Sequence, residues 1–387
     1  MGTDMLLDSF GDARQIAVER ALAEFRAARP VAIRSDGTVI LALPVEGLTR
    51  KVVPLFQQEQ RHPRLIVPAR KVKPAGQWQA PLAAVRLSPF LLETVEAYLA
   101  HHSNKGDTGA AYYEAELAAP SQAETAALVL VNLSHLLPAA LAVDASDAGL
   151  EQLPVLTVDA QDVIAFRDRE ARSLEIVTRT FVPLEGVEKC EFVVFRGGDG
   201  FRDQIAVIIS DPSPGRPVLA RIHSACLTGD LFGSLRCDCG DQLRGTVQAM
   251  SEQGGGILLY LDQEGRGNGI ANKVRAYCLQ DEGFDTYDAD ELLGFGQDQR
   301  RFDFAAEMLK QLGYTSIRLM TNNPQKVLAL REAGLEVVST HRVLTRPTVH
   351  NAKYLNAKRD KAGHLLGDAA LDGLDIEDLI RSPAPRP

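Results

Sequence analysis

Residues 257–269 read Ile257-Leu-Leu-Tyr-Leu261 and then Asp262-Gln-Glu-Gly-Arg-Gly-Asn-Gly269. A continuous apolar run of this kind, with no polar position left to face water, marks a strand buried on both faces. A helical pattern, Ile270–Gln280, follows the glycines. A strand that empties into a glycine loop and then a helix is the repeating unit of an α/β sheet. Ligands in such sheets bind beyond the carboxyl ends of the strands. Gly265, Gly267 and Gly269 let the backbone come close to a ligand and aim its N–H groups at an anion. Arg266 adds forked donors. Glu264 offers a carboxylate to an amidine-like base edge or to a water. The loop fits neither the P-loop nor the G-x-G-x-x-G pattern, and a flexible loop with a surface ion pair would read the same way.

Working outward, the alternation continues on both sides. Phe192–Phe195, Ile205–Ser210 and Val218–His223 read as strands. A helix is expected from Asp241 to about Gln253, with Leu243, Val247 and Met250 on one face and Gly254 at its end. Arg301–Leu312 reads as a helix closed by Gly313, and Ile317–Met320 as a strand. Thr321-Asn-Asn-Pro324 opens a helix with proline in its first turn, Gly334 ends it, and Leu335–Val338 is the next strand. Toward the N-terminus the patterning is weaker. Asp8–Ala28 reads as a helix stopped by Pro30. Val31–Arg34 and Val39–Leu43 read as strands around the turn signal Asp36-Gly37, and Thr125–Leu137 as a helix. The charged segment Arg167–Thr180 carries the passage between the halves, and the proline-rich end after Arg381 reads as a loose tail. The expected fold class is α/β: a C-terminal mixed-sheet α/β/α domain over 172–370, a smaller α+β domain over 1–171 before it, and a tail over 371–387.

Three of the five cysteines fall close together, as Cys226-x10-Cys237-x-Cys239. Thiolates at this spacing suit a soft tetrahedral metal, with zinc the usual occupant. Three protein ligands with water in the fourth position is the catalytic pattern. A structural site completed by His223, Cys190 or Cys278 fits the spacing equally well, and three buried thiols without a metal are a third reading. A second candidate loop is Thr321-Asn-Asn-Pro-Gln-Lys326. A helix N-terminus with its unpaired N–H groups, the Thr321 hydroxyl and Lys326 would make a phosphate cradle, whereas an ordinary cap at Asn323 with a solvated Lys326 is the plain alternative. A third cluster, Gln297-Asp-Gln-Arg-Arg301, reads by itself as a charged helix start.

Composition narrows the class. The 387-residue chain is 45% hydrophobic and 24% charged, as expected of a globular protein of two or three domains that needs no disulfides. A net charge of −9 argues against binding nucleic acid by bulk charge. The most apolar stretch, Ala126–Val143, is interrupted by Asn132, Ser134, His135 and Pro138, so it reads as buried helix and turn and not as a membrane span. The opening residues lack a basic start before an apolar core, and a cytoplasmic location is expected.

The run from Arg221-Ile-His-Ser-Ala225 through Cys226-Leu-Thr-Gly-Asp-Leu-Phe-Gly-Ser-Leu-Arg-Cys237-Asp-Cys239 resembles GTP cyclohydrolase II, the first committed enzyme of riboflavin biosynthesis. The likeness continues through residues 263–280, 283–302, 319–327 and 354–366, and covers about 172 to 367 in order. That family converts GTP to a diamino-ribosylamino-pyrimidinone phosphate, with release of formate and pyrophosphate. The resemblance implies that Cys226, Cys237 and Cys239 hold a catalytic zinc and that Tyr277 assists ring opening. It implies Arg300 as nucleophile toward the α-phosphorus, with Asp298 as its proton acceptor. A guanidinium is a poor nucleophile because it stays protonated, so a phosphate clamp at Arg300 is the competing role. GTP contacts carried over by position are Arg221, Ile222, His223, Ser224, Ala225, Gln242, Glu264, Gly265, Arg266, Thr286, Thr321 and Lys326. Magnesium on the triphosphate and a homodimer are implied as well.

The chain departs from the family at Ala225, where glutamate is common, at Asp262, where arginine is common, and at Asn268, where isoleucine is usual. These changes bear on the metal contact to the triphosphate and on GTP affinity, and leave a relative that keeps the formyl group as a rival. A nucleotide-binding regulatory protein with a structural zinc is a rival of another class. The first half is similar to dihydroxybutanone-phosphate synthase around residues 21–30, 133–140 and 153–167. Its acidic signature is missing: Ser35-Asp-Gly-Thr-Val-Ile40 holds one carboxylate, and the segment Ser121-Gln-Ala-Glu124 lacks the family histidine. One carboxylate cannot build the usual magnesium site, so a non-catalytic domain is expected.

Overall fold

The computed structural model describes residues 12–49, 54, 62–71, 80–87, 95, 117–146, 154–170, 173–197, 203–212, 215–296 and 299–343. The chain clusters into two compact units. The first comprises Met1–Arg167 with Ala271–Phe284 and Asp288–Asp298, and the second comprises Asp168–Ile270, Asp285–Tyr287 and Gln299–Pro387. The expected division places both Ala271–Phe284 and Asp288–Asp298 in the C-terminal domain.

The first unit is built on a seven-stranded sheet: β1 (Val31–Ser35), β2 (Thr38–Pro44), β3 (Arg64–Pro68), β4 (Leu82–Arg86), β5 (Leu117–Ala118), β6 (Ala140–Asp144) and β7 (Leu156–Asp159), in the order β5-β4-β3-β6-β2-β1-β7. All its pairs are antiparallel except β1 with β7. Alternation along the strands splits the core. Val31, Ile33, Ala42 and Ala142 face the helices α1 (Ala13–Arg26), α2 (Gln122–Leu133) and α3 (Ala160–Glu170), while Leu41, Leu43, Leu65, Val67 and Leu141 form a cluster on the other face. The Asp36-Gly37 turn has positive φ at both residues, 47° and 78°, as a two-residue hairpin turn matching strand twist requires. A reciprocal capping box closes the start of α2: Ser121 accepts from the Glu124 N–H while Glu124 accepts from the Ser121 N–H. The expected helix Thr125–Leu137 therefore begins earlier and ends sooner. Leu137 lies beyond a turn in which His135 takes φ 58°, and Ala140–Asp144, within the stretch expected to be helix and turn, is strand β6.

The second unit holds a seven-stranded mixed sheet: β8 (Glu175–Phe181), β9 (Cys190–Arg196), β10 (Gln204–Ser210), β11 (Val218–Ser224), β12 (Gly255–Leu261), β13 (Ser316–Met320) and β14 (Glu336–His341), in the order β14-β13-β11-β12-β10-β9-β8. Strands β14, β13, β11 and β12 run parallel; β12, β10, β9 and β8 are antiparallel. Helices cover both faces. Val218, Ala220, Ile222, Ile257 and Leu259 pack with α7 (Asp303–Gln311) and α8 (Pro324–Glu332), and the intervening Leu219 and Leu258 pack with Met250 of α4 (Cys239–Glu252). The remaining helices, α5 (Ile270–Asp281) and α6 (Thr286–Leu293), bury Ala276, Leu279, Ala289 and Leu293 with Leu137. Helix α7 starts at Asp303, not at Arg301, because Arg301 instead pairs with the Asp303 carboxylate in front of the helix. No described helix is long and apolar enough to cross a membrane.

Candidate active site

Three loops leave the carboxyl ends of the neighbouring parallel strands β13, β11 and β12. The cysteine segment follows β11, the glycine segment follows β12 and Thr321–Lys326 follows β13. The Ala225 N–H donates to the Leu261 carbonyl at 2.7 Å, tying the first two exits together. This is the edge of an α/β sheet at which ligands are expected.

After β11 the chain makes a five-residue π-turn, Leu227–Leu231, with Cys226 at its head, and Cys239 opens α4. The three thiols thus converge: the sulfurs of Cys226, Cys237 and Cys239 lie within 4.8 Å of one another, with Cys226 and Cys237 only 3.6 Å apart. Gly229 makes the space. A Cβ there would sit 2.7 Å from the Cys237 sulfur and 3.0 Å from that of Cys226. Gly240 lets the turn settle on α4, since its Cβ would meet the Gly229 carbonyl at 2.3 Å. The neighbouring Cys226 thiol pushes the Cys237 thiol up from its ordinary value, as crowding of two thiols does. The donor set and the cradle fit a soft tetrahedral cation. Among the described residues the cluster has three protein donors. Of the alternative fourth ligands, His223 turns its Nε2 to Asp230, Cys190 is buried against the Val187 carbonyl, and Cys278 is exposed on α5.

Asp230 is the hub beneath Cys226. It accepts from the Cys226 N–H at 2.9 Å, the Tyr260 hydroxyl at 3.0 Å and His223 Nε2 at 3.1 Å. Burial lowers the His223 pKa, with Asp230 opposing, which favours the neutral imidazole, and burial raises that of Tyr260, which keeps its phenol protonated near neutrality. Asp230, Tyr260 and Gly229 escaped the sequence reading. The signal for Gly229 and Asp230 was a Gly-Asp pair set between the first two cysteines of the spacing, and Tyr260 was absorbed in the apolar run 257–261.

Two cations are buried in this unit, Arg221 on β11 and Lys326 at the start of α8. Arg221 donates to the Met320 carbonyl at 3.1 Å and to Gln242 at 2.5 Å, and Gln242 in turn donates to Asp238 at 2.5 Å. Its Nε is buried without a hydrogen-bond partner, and burial lowers its pKa to about 10 against the pull of Asp238 and Cys239. Lys326 is not solvated: it is 8% exposed and its Nζ donates to the Ile222 carbonyl at 2.9 Å. Asn323 does cap α8, accepting from the Gln325 N–H, and Thr321 Oγ1 accepts from the Asn323 N–H.

In the glycine segment, Gly265 and Arg266 both take left-handed backbone, φ 59° and 60°. Glu264 is 6% exposed and accepts from the N–H groups of Leu227 at 2.5 Å and Gly265 at 3.1 Å, so it links this loop to the cysteine turn. The Arg266 guanidinium lies over the Tyr287 ring at 3.7 Å, next to Thr286 at the head of α6. Arg300 lies over Phe302, whose ring also faces Lys326. Ser224 keeps a buried hydroxyl without a partner. The expected residues in the second unit therefore fall on the three loops and their flanks. Tyr277, by contrast, lies half-buried on α5, which clusters with the first unit, and Asp298 lies outside the described residues.

A family model described as GTP cyclohydrolase II matches residues 175–342. GTP cyclohydrolase-2 of Azospirillum brasilense is 41% identical over 366 residues, which cover 92% of this chain and 95% of that one. GTP cyclohydrolase-2 of Xylella fastidiosa (strain 9a5c) is 39% identical over 389 residues, covering 96% and 90%. A crystal structure of RibBX, described as a two domain 3,4-dihydroxy-2-butanone 4-phosphate synthase from A. baumannii, aligns at 14% identity over 85% of this chain and 99% of that one, with a TM-score of 0.30. Since the first relative is 41% identical across nine-tenths of both chains, the chain belongs to the GTP cyclohydrolase II family.

Proposed function

We propose that the chain hydrolyses GTP to 2,5-diamino-6-(5-phospho-ribosylamino)pyrimidin-4(3H)-one, formate and pyrophosphate. The observation that carries the reading is the convergence of three thiols on a loop that leaves the parallel strands of a sheet whose neighbouring strand and loop hold two buried cations. Three waters balance the reaction: two are consumed in removing C8 as formate and one in cleaving the bond from the α-phosphorus to the pyrophosphate oxygen.

Cys226, Cys237 and Cys239 would hold zinc, with Asp230 and Gly229 fixing the turn that presents Cys226. A zinc ion so held supplies Lewis acidity and brings the pKa of a water toward neutrality. Arg221 and Lys326 offer positive charge in a dry setting, where attraction to an anionic or carbonyl oxygen is strengthened. Gln242, Glu264 and the glycine-loop N–H groups set the shape of the site around the guanine, with Ile222, His223, Ser224 and Ala225 lining the exit of β11. Thr286 and Arg266 extend it, and Thr321 shapes the β13 loop. Tyr277 assists ring opening through its hydroxyl. Arg300 engages the α-phosphate, as nucleophile with Asp298 as proton acceptor or as a clamp, and magnesium accompanies the triphosphate.

The first half is read as non-catalytic. The β1–β2 turn brings one carboxylate, Asp36, and its neighbour Ser35 bonds Gln122 at 2.6 Å. Glu124, the nearest other acid in sequence to that contact, is spent on its own cap and on Arg64.

The test is incubation of the purified protein with GTP, zinc and magnesium, following formate and pyrophosphate together and the nucleotide product by mass. Equal amounts of the two, with the deformylated product, are expected. Pyrophosphate with a product that retains the formyl carbon would replace the reading by that of a formyl-retaining relative. GTP bound but unchanged would leave a regulatory protein. In the same preparation, ribulose 5-phosphate should give no dihydroxybutanone phosphate; its formation would overturn the non-catalytic reading of the first half.

A further inference from the structure

Helices α5 and α6 belong by sequence to the cyclohydrolase half, yet they are packed into the first unit. The seat is specific. Beyond α2 the chain turns at His135, with a left-handed φ of 58°, and delivers Leu137 into a pocket of Ala276, Leu279, Ala289, Leu293 and Phe295. Asn272, 1% exposed, donates from Nδ2 to the His135 carbonyl at 2.9 Å. Glu46, in the 3-10 turn Val45–Gly47 after β2, accepts with one carboxylate oxygen from the Leu137 N–H and from Arg275 at 2.9 Å. Arg275 also reaches Asn272 at 2.6 Å, closing the network. Gly294 permits the close approach at the far end, since a Cβ there would lie 2.9 Å from Pro138.

Helix periodicity gives this seat a consequence. At about 100° per residue, positions 272, 275, 276 and 279 share one face, and position 277 projects from the opposite side. A helix clamped along the first face therefore has a fixed pose for Tyr277. We propose that the N-terminal unit, without chemistry of its own, is a positioning scaffold whose Leu137 and Glu46 hold the helix that carries Tyr277. The proposal rests on the role given to Tyr277 above. Leu137 and Glu46 are positioning residues; neither is placed at the reacting atoms. The ion pair is partly solvated, so the buried Leu137 and the Asn272 hydrogen bond are expected to carry most of the hold.

The test uses the full zinc-loaded chain. Leu137→Ala should raise amide exchange across 270–281 and lower kcat for formate release roughly 10- to 100-fold, with the KM for GTP and the bound zinc unchanged. Leu137→Met, which conserves volume, should restore both. Glu46→Gln, which keeps an acceptor for the Leu137 N–H, should give a smaller loss in the same direction. Wild-type kcat in Leu137→Ala, or a lowered kcat with exchange across 270–281 unchanged, would overturn the scaffold. Should the wild-type protein release no formate, the activity reading fails instead, and the exchange measurement alone still decides whether Leu137 holds the helix.

Discussion

Gly229 and His223 show how single residues set the chemistry of this site. Gly229 has no positive φ to maintain; what it supplies is room between two sulfurs. A methyl group there must displace the Cys237 thiol or the turn itself. Gly229→Ala is expected to weaken zinc binding about 10- to 100-fold, while the far-ultraviolet circular dichroism stays native. Competition with a chromophoric chelator measures it, and undiminished affinity would remove Gly229 from the site. His223 is neutral because burial lowers its pKa, with Asp230 only partly opposing. In the unfolded chain the same imidazole takes up a proton below about pH 6.5. The unfolded state then binds more protons than the folded one, so stability falls as pH drops from about 6.5 toward the lowered folded value. His223→Gln should flatten that part of the profile, read as the urea midpoint of zinc-loaded protein at pH 7 and pH 5.5. An unchanged slope would place the proton uptake elsewhere.

At the scale of elements, legibility followed the strength of the local signal. The run at 257–261 and the Asn323-Pro324 helix start were readable because burial on both faces and a proline cap each leave a one-dimensional mark. The thiols were readable from spacing, but their convergence, with His223 and Cys190 bonded elsewhere and Cys278 exposed, needed the third dimension. Strand β8 was hidden for a physical reason. It is an edge strand with all seven positions exposed, so its sequence shows no alternation, and its charges made it look like a passage between halves. Strand β6 was masked by its neighbour α2, because helix and strand are equally apolar there and periodicity cannot divide one run. Glu264 was read as an acceptor for a base edge or a water, and its tie to the Leu227 N–H, which links the two loops, left no mark in the sequence.

For the whole molecule, relatedness extends through both halves, and two relatives matched over nine-tenths of the chain bear the name GTP cyclohydrolase-2. The grouping of most of α5 and α6 with the first unit is what gives that half the positioning role proposed above. The proposed reaction joins three thiols, one zinc and one ring opening. Zinc titration into chelator-stripped protein, with bound metal and formate release from GTP measured on the same samples, tests it most directly. Formate release should rise in proportion to bound zinc and level off at one zinc per chain. Formate released at full rate from metal-free protein, or one zinc bound per chain with GTP left intact, would contradict it.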